Sequence, residues 1–341
     1  MSGLHDLASS RLNALWYGSN RRYWTLWPLS LVYRVLVAFR RFAYRSNWFR
    51  SVDVGVPVIV IGNLTVGGTG KTPLTIWLAR RLIERGLSVG IVCRGYGGTA
   101  RHWPQPVDAS SHVETVGDEA KLLARRVSCR VVAGPDRAVA ASMLLGQEPV
   151  DVILSDDGLQ HYRLQRGFEI AVVDGSRGFG NGLCLPAGPL REPVSRLGEV
   201  SAVVVNDGEL GPAGAFHAGV RPVCVYELAT GSERSLADFG GQSVHAVAAI
   251  GNPGRFFDLL SQHGLIVEPH PLPDHTSFDK ADLDFDDDLP VLMTEKDAVK
   301  CESSKARNLW CVVMELEFSS GDGERLERML MPFLGQQSEN P

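Results

Sequence analysis

Through the middle of the chain, apolar runs of strand length alternate with stretches whose apolar residues recur every third or fourth position. Val58-Ile59-Val60-Ile61 is β-branched throughout, as a strand buried on both faces requires. It runs into the glycine-rich stretch Gly62–Pro73. Leu74, Trp77, Leu78 and Leu82 then mark one face of a helix that Gly86 closes. Strands follow at Leu87–Arg94, Arg130–Ala133, Val150–Leu154, Phe168–Asp174 and Ala202–Asn206, with helices at Ala120–Arg126 and Arg137–Leu145. This alternation over 55–206 predicts an α/β fold with a mostly parallel sheet and helices on both faces.

After residue 206 the pattern changes. Val223–Leu228 is a strand outside the alternation, and the Gly/Ser-rich stretch 232–243 marks a boundary. Beyond it lie a strand at Val244–Ala249, a helix at Arg255–His263, apolar runs at Gly264–Glu268 and Pro290–Thr294, and a last strand at Leu309–Phe318 that can pair with Val223–Leu228 as a ribbon. The expected organisation is an N-terminal segment 1–50, a P-loop domain 51–231 and a smaller α/β domain 232–334, with a frayed tail at 335–341. Residues 99–115 and the Gly/Pro-rich 178–193 are expected to be loops.

The stretch Thr65-Val66-Gly67-Gly68-Thr69-Gly70-Lys71-Thr72 sits between strand and helix, the setting of a phosphate-binding P-loop. Its backbone N–H groups would close around phosphate oxygens, Lys71 would reach the β- and γ-phosphates, and Thr72 would set its hydroxyl on Mg²⁺. Pro73 opens the helix, where its missing N–H costs nothing. Thr65 stands where the usual pattern has its first glycine, so the Gly67-Gly68 pair must supply the flexibility. The alternative is a glycine-rich turn that binds nothing.

Val150–Leu154 leads into Ser155-Asp156-Asp157-Gly158-Leu159-Gln160-His161. An apolar strand ending in Asp, downstream of a P-loop, is the Walker B arrangement whose carboxylate holds Mg²⁺. Arg94 and Tyr96 occupy a flexible turn at the carboxyl end of a strand, where open α/β sheets bind ligands. Asp118 reads either as a helix N-cap or as a carboxylate aimed at the phosphate site. Arg137 and His161 are candidates for phosphate contact, or for a surface charge and a turn filler. A guanine-reading N-K-x-D is missing at both places where it might stand, Asn206–Glu209 and Thr294–Asp297, so ATP is the better guess. A kinase also needs a base for the acceptor hydroxyl, and Asp118 and His275 are the available groups.

Composition adds a division of charge. The chain of 341 residues is 44% apolar and carries a net charge of −5. Residues 1–50 hold eight arginines against the single acid Asp6, leaving the remainder near −12. Trp16, Trp24, Trp27 and Trp48 are interleaved with those arginines, and Leu29, Val32, Leu36 and Phe39 fall on one side at helical spacing. The charge-free window Tyr23–Tyr33 is short of the about 20 residues that span a bilayer. The segment reads as a helix lying in a membrane interface, against the alternative of a helix packed on the protein body. Met1–Asn20 lacks the features of a signal peptide. The six cysteines are widely spaced without a C-x-x-C pair, which argues against a zinc site and against a disulfide framework.

Gly62–Pro73, Arg94-Gly95-Tyr96, Gly117-Asp118-Glu119, Asp156–His161, Pro186–Glu192 and Thr294–Lys300, in this order, resemble the tetraacyldisaccharide 4'-kinases, the lipid A 4'-kinases of Gram-negative bacteria. The resemblance covers nearly the whole chain, and Thr65 at the first Walker position is a habit of that family. It implies a P-loop domain joined by a β-ribbon to a smaller α/β domain. It also implies transfer of the ATP γ-phosphate to the 4'-hydroxyl of a tetraacylated glucosamine disaccharide 1-phosphate at the cytoplasmic face of the inner membrane. By the same resemblance Asp118 is the catalytic base with His275 as its partner, and Asp156 and Asp157 are metal- and phosphate-positioning acids. Arg94, Tyr96, Arg137, His161 and Glu192 are implied substrate or phosphate contacts. ATP and Mg²⁺ are the expected cofactors, and the lipid substrate and the membrane surface the expected partners, with no nucleic acid. The alternatives are another membrane-associated P-loop ATPase or ligase, and a non-enzymatic nucleotide switch.

Overall fold

The computed structural model describes residues 14–18, 21–274, 276, 283–301 and 308–337. Its strands are β1 Val58–Gly62, β2 Val89–Cys93, β3 Gln105–Val107, β4 Arg130–Ala133, β5 Val152–Asp156, β6 Phe168–Asp174 and β7 Ala202–Asn206, then β8 Phe216–Glu227, β9 Glu233–Arg234, β10 Ser243–Ala248, β11 Ile266–Pro271, β12 Val291–Thr294 and β13 Leu309–Phe318. They form one 13-stranded sheet in the order β11-β10-β12-β13-β8-β7-β6-β1-β5-β2-β4-β3, with β9 on β8. Pairing is parallel except at β3–β4, β8–β9 and β8–β13.

β1 is central to the N-terminal half, between β5 and β6. Strand alternation sends Ile59 and Ile61 to one face, where Leu74, Leu78 and Leu82 of the helix Lys71–Glu84 pack on them with Ile91 and Leu123. Val58 and Val60 point to the other face, toward Val132, Ala141, Leu144 and Leu159. Both faces are thus covered by apolar side chains, which is why these strands read as unbroken apolar runs rather than as alternating ones. The register sets Ile61 beside Asp156, so the end of β1 that opens the P-loop lies next to the end of β5 that carries the acid.

The strand expected at Val223–Leu228 is longer, running from Phe216 to Glu227, and it pairs antiparallel with Leu309–Phe318 from Trp310↔Glu227 to Phe318↔Ala218. This ribbon joins two parallel halves into one sheet. The C-terminal half has its own core, with Val244, Ala246, Phe256, Leu260, Leu292 and Trp310 on one face. Three features depart from the sequence reading. Gln105–Val107 and Val113–Val116 are a short strand and a short helix inside the expected loop. The helix Asp322–Gln337 was not foreseen, and it runs through part of the tail expected to fray. Its Leu326, Leu330 and Leu334 enter the core under β1, so the stretch 232–334 crosses back onto the N-terminal half.

The helix Trp27–Arg45 rests on the body through its small and polar side. Ser30 Oγ donates to Cys184 O at 2.6 Å, Tyr33 Oη donates to Arg191 O at 3.1 Å, and Ala43 is fully buried. The stripe of Leu29, Val32, Val35, Leu36, Phe39 and Phe42 faces outward with more than half of each side chain exposed. No helix among the described residues is long and apolar enough to cross a membrane.

Candidate active site

The P-loop is shaped by its backbone. Gly67 and Gly70 have φ of +108° and +89°, in the region that favours glycine. At Gly70 a Cβ would also lie 2.2 Å from Asn206 Nδ2, which donates to Thr69 O at 3.0 Å. Asn63 braces the loop from inside, donating from Nδ2 to Gly67 O at 3.1 Å. The outer edge is tied to the Pro186–Arg191 stretch: Val66 N donates to Pro189 O at 2.8 Å and Arg191 N to Leu64 O at 2.6 Å. Gly70 caps the helix Lys71–Glu84 with no side chain on its first amides, and no acid sits in its first turn. The N–H groups and the positive end of the helix are therefore open to an anion.

Asp156 and Asp157 are neighbours with opposite environments. Asp156 is buried and accepts from Thr75 Oγ1 at 2.9 Å and Thr72 Oγ1 at 3.3 Å. Burial pushes its carboxyl up to about 6, Glu119 adding to the rise and Lys71 opposing it. Asp157 has left-handed backbone, φ +49°, which turns its carboxylate toward Lys71 Nζ at 3.5 Å and Arg191 Nη1 at 3.0 Å. Burial alone would raise this carboxyl too, but Lys71, Arg191 and Arg137 outweigh it and hold it well below the usual carboxylate range. The hydroxyl of Thr72 and the carboxylate of Asp156 are hard oxygen donors at the mouth of the P-loop, a set that fits Mg²⁺.

Facing the P-loop is a second charged group. Asp118 is buried at the start of the helix Asp118–Arg126, where Gly117, not Asp118, holds the cap position. Its Oδ1 accepts from Glu119 N at 2.8 Å, and its Oδ2 lies 3.6 Å from Lys300 Nζ and 4.0 Å from Lys296 Nζ. Lys296 also reaches Glu119 at 3.3 Å and Asp274 at 3.0 Å. Burial would lower the Lys296 ammonium, but Glu119, Asp118 and Asp274 overcome it and raise it, so it stays charged. The C-terminal half meets the P-loop directly here: a Cβ on Gly251 would lie 3.1 Å from Gly68 N and 3.6 Å from Asp274 Oδ2.

The remaining expected site residues fall into two groups. Arg94 and Tyr96 are exposed at the end of β2, the guanidinium 5.7 Å from the ring, and the Tyr96 carbonyl lies against Gly117, leaving no room for a side chain there. Arg137 and Glu192 are instead buried, and His161 is half-buried. Arg137 is buried and donates to Gly134 O at 2.8 Å and Asp156 O at 3.3 Å. His161 Nε2 accepts the Arg137 amide at 3.0 Å, and burial, then Arg137, pulls the imidazole down to about 4, so it is neutral. Glu192 is buried against Tyr162 and Arg196. Through these contacts all three brace the turns beneath the site. His275 lies outside the described residues.

Sequence reasoning missed Arg191, Thr75 and Asn206 as site residues, and Lys296 and Lys300 as partners of Asp118. Asn206 ends an apolar strand beside β6, and its strand-end position was the available signal. The lysines stand in the motif Thr294–Lys300, but the motif does not name their partner, which lies far away in sequence.

A P-loop grown from the central strand of a parallel sheet, a Walker acid beside it and a carboxylate–lysine group opposite define a P-loop nucleotide-binding enzyme of the phosphotransfer class. Residues 22–334 match the family model described as tetraacyldisaccharide-1-P 4'-kinase. The chain is 47% identical over 322 residues to the tetraacyldisaccharide 4'-kinase of Nitrosococcus oceani, covering 94% of this chain and 95% of that one. It is 46% identical to that of Legionella pneumophila, over 90% of this chain and 94% of the other. Its fold is similar to a crystal structure of LpxK from Aquifex aeolicus in complex with ATP, with a TM-score of 0.78, 25% identity, and coverage of 92% and 99% of the two chains. The chain belongs to the tetraacyldisaccharide 4'-kinase family and is a kinase of lipid A biosynthesis.

Proposed function

We propose that the chain transfers the γ-phosphoryl group of ATP to the 4'-hydroxyl of a tetraacylated glucosamine disaccharide 1-phosphate, with Asp118 as the base. The observation that carries this reading is the pairing of the Gly67–Thr72 anion cradle with a buried carboxylate held by Lys296 and Lys300 on the facing side. The acceptor oxygen bonds to the γ-phosphorus as the bond to the β-phosphate oxygen breaks, ADP leaves, and Asp118 receives the hydroxyl proton. Such transition states are loose, so orientation of the acceptor matters more than the strength of the base. Lys296 and Lys300 hold Asp118 in position, their Nζ atoms 4.0 and 3.6 Å from its Oδ2. Lys71 and the loop amides meet the charge on the transferring group. Thr72 and Asp156 would hold Mg²⁺, which when bound neutralises phosphate charge. Arg191 fixes Asp157 beside Lys71, and Arg94 and Tyr96 are exposed where an anionic sugar can reach them.

The outward stripe Leu29–Phe42, flanked by the exposed Arg34 and Arg40, supports binding at the cytoplasmic face of the inner membrane. A tetra-acylated substrate leaves a bilayer at a cost of about 0.8 kcal/mol per CH₂, so the enzyme must go to it. Because Ser30 and Tyr33 tie this helix to the loop that braces the P-loop, surface substitution tests the idea more cleanly than truncation. Val32→Glu/Val35→Glu/Phe39→Glu is expected to lower turnover on bilayer substrate about tenfold or more, through loss of buried apolar area, with ATP binding unchanged. Unaltered turnover on vesicles would remove the membrane role. For the reaction itself, labelled ATP and tetraacyldisaccharide 1-phosphate should give a doubly phosphorylated lipid. Phosphate release without that product would favour another ATPase, and tight ATP binding without turnover a nucleotide switch.

A further inference from the structure

Away from the P-loop, three ligand-type side chains converge on the edge of the C-terminal half. Parallel pairing of β10 and β11 sets His245 beside Glu268, and Glu268 and His270, two apart on β11, share its face. His245 is buried, its Nδ1 lying 2.9 Å from His270 Nε2 and 3.4 Å from Glu268 Oε2. Its other nitrogen, Nε2, lies 3.1 Å from Asp287 Oδ1, and Phe285 stacks on the ring with centroids 3.8 Å apart. Among the described residues this is the group of His, Cys and carboxylate ligand atoms that lies within 4.8 Å of one another.

The protons decide what such a cluster is for. Asp287 accepts only, so a neutral His245 gives it the Nε2 proton and turns a bare Nδ1 lone pair toward the group. His270 can answer that lone pair by donating from Nε2. The Glu268 carboxylate cannot, so two acceptors then face each other at 3.4 Å. A cation seated among these three atoms would be met by all of them. Tetrahedral zinc with Zn–N near 2.0–2.1 Å separates its ligand atoms by about 3.3 Å, and the observed 2.9 and 3.4 Å lie on either side of that. The carboxylate–histidine pair behind the cluster is also the arrangement that orients metal-ligating imidazoles.

We infer that His245 Nδ1, His270 Nε2 and the Glu268 carboxylate form a site for a divalent transition-metal ion of zinc type, with Asp287 orienting His245. The site clips the edge strand β11 to β10, just upstream of Asp274, which reaches Lys296. Its function is to hold that strand, apart from the Mg²⁺ and ATP chemistry at the P-loop.

The full-length chain, stripped with chelator, is titrated with Zn²⁺ against a chromophoric competitor. One equivalent should bind, and Glu268→Gln and His270→Ala, at partly exposed positions, should each weaken it about tenfold or more, with Asp287→Asn about tenfold weaker. Co²⁺ should give d–d bands without a thiolate charge-transfer band, distinguishing this site from the cysteines. An ATP-induced thermal shift equal to wild type shows that the variants are folded. Absence of stoichiometric zinc binding, equal affinity in wild type and His270→Ala, or a thiolate band would overturn the inference.

Discussion

The candidate site has two walls, each pairing lysine with carboxylates, and they are made in different ways. On the P-loop wall Lys71 reaches Asp157, which backbone strain at φ +49° and Arg191 keep in place. Here the chain itself is the scaffold, and the binding surface is largely amide N–H. On the opposite wall Asp118, Lys296, Lys300 and Asp274 come from distant segments, and only side chains hold them together. The first wall suits a ligand whose charge is always present, the triphosphate. The second sets a buried carboxylate beside two lysines, as the proposed base requires. On the proposed function, one wall binds and the other accepts the proton.

The largest test of that division pairs Asp118→Asn with Lys71→Met. Losing the proposed base should lower kcat by about 10²–10⁴-fold with ATP affinity unchanged, as read by steady-state kinetics and calorimetry. Losing the P-loop lysine should lower kcat by about 10²–10³-fold and weaken ATP as well. Equal loss of ATP affinity in both variants would erase the distinction between the walls.

Stability should separate them next. Lys300→Met leaves Asp118 and Asp297, both buried, without a shared cation, and is expected to cost about 3–5 kcal/mol in urea unfolding. Arg191→Met acts on a pair that water partly reaches and should cost about 1 kcal/mol or less. Comparable costs would mean that the second wall is no more desolvated than the first.

The adjacent acids give a test by pH. Burial raises Asp156 from 3.8 to about 6, so the folded protein holds this proton more tightly than the unfolded chain. Its contribution to stability is full below the ordinary value and is lost as pH rises through about 6. Asp157, held low by its cations, acts in the opposite sense: it adds stability above the ordinary carboxylate range and loses it in acid. Asp156→Asn should therefore flatten the fall in Tm of the nucleotide-free protein between pH 4 and 6. A Tm curve parallel to wild type would exclude the shift. The smallest effect is expected at Asn206→Ala, which frees the Thr69 carbonyl and should cost about 1 kcal/mol.

Several site residues were legible because their signal is local. Gly67, Gly70, Lys71 and Thr72 lie within one turn of chain, and Asp156 ends an apolar strand. Asp118 and the family's other motifs were legible through resemblance, but their partners were not. A motif does not give the contacts of its members: Glu192 is packed against Tyr162 and Arg196, while its neighbour Arg191 reaches Asp157. The helix Asp322–Gln337 was missed although Leu326, Leu330 and Leu334 keep helical spacing.

The sequence by itself determined the parallel sheet, the P-loop and its flanking helix, and the apolar stripe at the N-terminus, because backbone conformation and side-chain periodicity are set by residues a few positions apart. Only the tertiary structure decided that the ribbon expected between the halves makes them one continuous sheet, that the lysines of the second half meet Asp118 of the first, and that Asp156 and Asp157 carry opposite shifts. The reason is physical: ion pairing and desolvation depend on distance through space, which sequence separation does not encode.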